Sequence, residues 1–196
     1  MNAHTRTPGH SPRGTRIIAL IDRITPVIDA ISTWSGKTAA WLIVPMFAVL
    51  FFEVAIRKLD RPTIWANDIA TMCYGAHFFL CAAYTLQLQK HIRTDFFSKN
   101  WSLKTQVRMD IAQYLLLFLP GMVVFTWASW EFAAESWDLK EALMTTWRPP
   151  AYWYKTVIPV SSILILLQGM AEVLKCVKTL YTGVDYRADT GPSELT

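Results

Sequence analysis

The chain has 196 residues, of which 53% are apolar and 17% charged, against roughly 25% charged in an average soluble domain. Its mean hydropathy of +0.24 excludes a disordered chain, a coiled coil and a free-standing soluble nucleic-acid binder. The net charge is +4, but the basic residues lie between long apolar runs, so membrane topology explains them and no nucleic-acid partner is expected.

Residues 1–16 carry Pro8, Gly9, Pro12 and Gly14 and read as a disordered tail. The opening lacks the basic start, apolar run and cleavage site of a signal peptide, so insertion is expected to rely on the first span. Over residues 17–34, Ile17, Leu20, Ile21, Ile24, Val27, Ile28, Ile31 and Trp34 follow helical spacing. Arg16, Asp22, Arg23 and Asp29 fall mostly off that stripe. Charges make crossing costly, and a one-sided stripe favours an amphipathic helix lying in the membrane interface, bent at Pro26. A helix docked on a soluble partner is the alternative.

Four later stretches reach the length of about twenty mostly apolar residues that a span needs. They cover about 38–56, 69–88, 111–132 and 156–177. Pro45, Pro120 and Pro159 lie inside three of them, and are expected to mark bends buried against protein, Pro120-Gly121 above all. The fold class expected is therefore an all-α integral membrane protein with four transmembrane helices plus an N-terminal interfacial amphipathic helix. The domain is expected over 17–180, and 181–196 form a second tail. With both termini cytoplasmic, twelve Lys and Arg lie inside and six outside, with Lys37 unassigned. The outer segment between spans three and four holds Glu131, Glu135, Asp138 and Glu141 among three tryptophans and two tyrosines, which suits an interface.

No GxSxG, HExxH, Walker A or GxGxxG pattern occurs, and no catalytic, cofactor-binding or metal-binding residue is expected. Cys73, Cys81 and Cys176 form no CxxC pair and read as packing thiols. His77 and His91 lie fourteen residues apart, a spacing seen on haem-bearing helices, but second ligands are wanting. Glu53 is an acid inside the first span, one turn before Arg57. The two are expected to pair near the headgroups. Tyr74, His77 and Gln87 on the second span, and Gln168 and Glu172 on the fourth, are expected to hydrogen-bond within the bundle or to a partner helix. Gly169 should let another backbone come close. Trp65 reads as an interfacial anchor, and Asn67 or Asp68 as a helix cap. Lys90, His91, Arg93 and Asp95, followed by Phe96 and Phe97, read as an ordered elbow at the inner face.

Two of these segments carry a resemblance. The run from Arg57 through Arg61-Pro62-x-x-Trp65-x-x-Asp68, an apolar span, and His91-Ile92-Arg93-Thr94-Asp95 resembles the small membrane subunit of TRAP transporters, the DctQ type. Asp68 stands where that family usually has Glu, and Thr94 where it usually has Val. Arg148-Pro149-Pro150-Ala151-Tyr152, Lys155, Ile158-Pro159 and Leu167-Gln168-Gly169 resemble the mannitol/chloroaromatic branch. The resemblance covers about residues 17–180.

It implies one part of a three-part importer in the bacterial inner membrane. A periplasmic substrate-binding protein captures a carboxylate-bearing solute. A large TRAP membrane subunit of about twelve spans carries sodium and solute. The small subunit is a fixed scaffold gripping lipid and partner, not an enzyme. Arg57, Arg61, Trp65, Asp68, His91, Arg93, Asp95, Pro149, Pro150 and Gln168 are its candidate structural or partner-facing positions. The competing readings are an anchor or haem-bearing subunit of a membrane enzyme, and a self-sufficient small carrier.

Overall fold

Lengths and composition leave four helical segments able to cross a membrane: Ile18–Arg57, Ala66–Gln87, Leu103–Asp138 and Ala151–Thr182. Each contains or closely overlaps one expected span. The computed structural model describes residues 12–88 and 102–184, and no strand occurs among them. The elbow residues His91, Arg93 and Asp95 lie outside the described residues, as do most of both expected tails.

Helix α1 (Pro12–Ala40) runs past both ends of the expected amphipathic stretch and passes through Pro26 without ending. A tight turn follows, in which Trp41 N–H donates to Thr38 O and Leu42 N–H to Ala39 O. Helix α2 (Ile43–Arg57) then leads through a short loop to α3 (Ala66–Gln87). Helix α4 (Leu103–Gln113), a π-helical turn (Tyr114–Phe118) and α5 (Leu119–Asp138) form one rod. The short α6 (Ala151–Lys155) precedes α7 (Val157–Thr182). Gly183 closes α7 in the left-handed region at φ 72°, and its N–H donates to Thr179 O, the conformation glycine adopts at least cost.

The prolines do not mark bends buried against protein as expected. Pro45 and Pro120 are exposed, and only Pro159 is buried. Pro45 and Pro159 each occupy the third position of a helix, where the missing N–H would have had no intrahelical partner. Pro120 follows the π turn, in which Leu119 N–H reaches back five residues to Tyr114 O. The wider turn accommodates the ring without ending the rod.

The helices do not close into a square bundle. Contacts run α2 to α3, α3 to α7 and α7 to α5, with α1 laid across α3 and α7 and α4 against α7. No other pair of long helices makes more than marginal contact. Glycines set the close approaches. A side chain at Gly36 would strike the Tyr84 ring, at Gly75 the Tyr154 hydroxyl, and at Gly169 the Phe118 ring. The last differs from the expectation for Gly169: an aromatic ring fills the notch, not a backbone. Most large apolar side chains of α2, the π turn and α5, including Phe47, Phe51, Leu116, Leu117 and Val124, face outward, as lipid-facing positions do.

Candidate functional site

Two groups of polar side chains hold the helices together, one between α1 and α7 and one where the loops of the α2–α3 and α5–α6 connections meet. The first centres on Gln168, which is fully buried in α7. Its amide oxygen accepts from Ser32 Oγ at 2.6 Å, and its amide nitrogen donates to Asp29 Oδ1 at 2.9 Å and Glu172 Oε1 at 3.1 Å. Lys175 Nζ donates to the same two oxygens, at 2.8 Å each. The positions 168, 172, 175 and 179 recur at one-turn spacing, so α7 presents a continuous polar edge to α1.

Two further contacts extend this seam. Lys178 pairs with Asp22 at 2.6 Å, and Thr33 Oγ1 donates to Gln87 Oε1 at 3.0 Å. Ser35 and His77 tie α1 to α3 through the carbonyls of Leu80 and Ala39. Two carboxylates around one ammonium in a dry interior are tolerable because the lysine and the amide share both oxygens. The arrangement fixes the register of α1 on α7.

Sequence reasoning placed Gln168 and Glu172 in hydrogen bonds and that is where they lie. It counted Lys175 only among the twelve inner-side Lys and Arg, and placed Asp29 mostly off the apolar stripe. Lys175 is 5% exposed, and Asp29 faces it. The signal was present in both helices: Asp29, Ser32 and Gly36 on one face of α1, and the polar edge of α7 opposite.

At the other end, Glu53 is buried at the last turns of α2. Its carboxylate accepts from Arg57 at 2.9 Å and from the backbone N–H of Thr63 at 3.2 Å, and also takes a short bond from Thr63 Oγ1. The pair anticipated with Arg57 therefore gains a loop residue that the helical spacing could not reveal. Asn67 or Asp68 was expected to cap α3, and neither does. The N-cap is Trp65, with no side-chain hydrogen bond. Asp68 instead accepts from Thr145 Oγ1 at 2.7 Å, across the bundle end. It still stands in the first turn of α3, where an acid is favoured. Trp65 stacks on Phe52 with ring centres 5.9 Å apart. Arg57 and Arg61 are exposed.

Residues 139–150 form an ordered loop. Leu143 N–H donates to Pro149 O and Ala151 N–H to Glu141 O. Pro149 is buried, and Pro150, exposed, begins α6 as its N-cap. Lys140 and Arg148 take positive φ of 47° and 50°, a strained choice for residues with side chains. Lys140 lies over the rings of Trp137 and Tyr152. Lys155 reaches Glu141 at 2.5 Å and sits 3.9 Å above the centre of the Phe132 ring. Hydrogen bonding from Lys155 chiefly, and then the neighbouring Ser136 hydroxyl, hold the Glu141 carboxyl below its ordinary value. Among the described residues buried Ser136 Oγ has no partner within full hydrogen-bond geometry, so the Lys155 contact is the one that defines the Glu141 site.

Of the buried charged side chains, Glu53, Asp68 and Lys175 thus each join one part of the chain to another, while Glu172 braces Gln168 and Lys175 within α7. No group of three His, Cys, Asp or Glu able to hold a metal occurs among the described residues. A family model described as the DctQ component of tripartite ATP-independent periplasmic transporters matches residues 46–179. The chain belongs to the DctQ family. Membership makes it the small subunit of a TRAP transporter, a transport component of the membrane and not an enzyme. Members of the DctQ family work with a large membrane subunit and a substrate-binding protein. The match opens inside α2, so Asp29 and Ser32 lie outside it while Gln168, Glu172 and Lys175 lie within. No curated protein and no solved structure matches the chain.

Proposed function

We propose that this DctQ chain is the fixed scaffold of a sodium-coupled importer of a carboxylate-bearing solute in the bacterial inner membrane. The family match over residues 46–179 carries the reading. A separate large subunit moves the solute, and a periplasmic binding protein delivers it. Both termini face the cytoplasm, which follows from the twelve-to-six distribution of Lys and Arg. The Arg148-Pro149-Pro150 loop supports assignment to the mannitol/chloroaromatic branch.

The internal locks suit a part that must not deform. A carrier that shifts against its surroundings needs a neighbour of constant shape. Buried ionic and amide contacts between α1 and α7, and between the loops, favour one arrangement over slipped ones. The exposed tryptophans Trp34, Trp41, Trp127, Trp130 and Trp153 suit anchoring to lipid interfaces.

Purification from native membranes and reconstitution test this. The large subunit is expected to come down with the chain. Liposomes holding the chain alone should take up no solute under a sodium gradient, whereas the full set should. Uptake by the chain alone would overturn the scaffold reading. His91→Ala and Asp95→Ala should lower uptake without altering which solute is chosen.

A further inference from the structure

We draw no further inference here: the strongest candidate, the apolar outer stripe of α1 formed by Ile24, Val27, Ile31 and Trp34, is exposed along its length, and nothing in the structure shows what covers it.

Discussion

Lys175 and Asp29 stand 2.8 Å apart although 146 positions separate them in sequence. The contact joins α1, outside the family match, to α7, inside it. It also shares its carboxylate oxygen with Gln168. Removing the ammonium alone leaves two carboxylates facing each other.

Lys175→Met is therefore expected to destabilise the chain by about 3–5 kcal/mol. Asp29→Asn should cost less, because the amide can still accept from Lys175. Combining Lys175→Met with Asp29→Asn should recover part of the loss, since fewer charges remain unpaired. Thermal unfolding in detergent would measure this. Strict additivity of the two substitutions would contradict a shared network.

Glu141 makes the end loop sensitive to acid. Its folded-state value lies below the ordinary 4.5, chiefly through Lys155. The folded loop therefore binds fewer protons than the unfolded one as pH falls through this range. Its contribution to stability is complete above the ordinary carboxylate value and fades as pH drops through the lowered one. The protection of the backbone N–H groups of Leu143 and Ala151 against hydrogen exchange, relative to the intrinsic rate at each pH, should be high at pH 7 and fall at strongly acidic pH. Glu141→Gln should abolish that pH dependence; an unchanged profile in the variant would show that another group controls the loop.

Two glycines should respond oppositely to alanine. A Cβ at Gly169 would come within 2.3 Å of the Phe118 ring, whereas at Gly121 it would meet nothing within 4 Å. Gly169→Ala is expected to cost about 1–3 kcal/mol through overpacking. Gly121→Ala should be neutral or stabilising by up to about 1 kcal/mol, the helix preference of alanine. Equal unfolding temperatures for the two variants would contradict the packing described.

The Asp68–Thr145 bond ties the loop 139–150 to the first turn of α3, so Thr145→Val should loosen residues 139–150 without unfolding the helices. A loss of about 1–3 kcal/mol is expected, because the buried carboxylate keeps no donor from that loop. Limited proteolysis should then cut the loop faster, with helical content by circular dichroism unchanged. A cleavage rate equal to that of the parent would place the loop's order in its backbone contacts alone.

The four spans were legible because hydropathy and length act locally, over about twenty residues. The Glu53–Arg57 pair was legible for the same reason, as a one-turn spacing on one helix. Asp68 was misread because a cap is a local solution, and Thr145, 77 positions away, supplies a partner that local spacing does not reveal. Lys175 entered only the count of inner-side basic residues, which carries no information on burial. Here Glu172 and Asp29 together supply the acceptors that hold it inside. Tyr74, expected to bond within the bundle or to a partner helix, meets no hydrogen-bond partner among the described residues.

A single file of helices, with α1 laid across its middle, has far more perimeter than a closed cylinder of the same mass. It behaves as a fin in a viscous sheet: each added ångström of edge meets more acyl chains and slows turning about the membrane normal. Thinness also keeps both broad sides of the central helices within reach of a neighbour. One modest polypeptide can thus hold its heading in the bilayer and still present a wall.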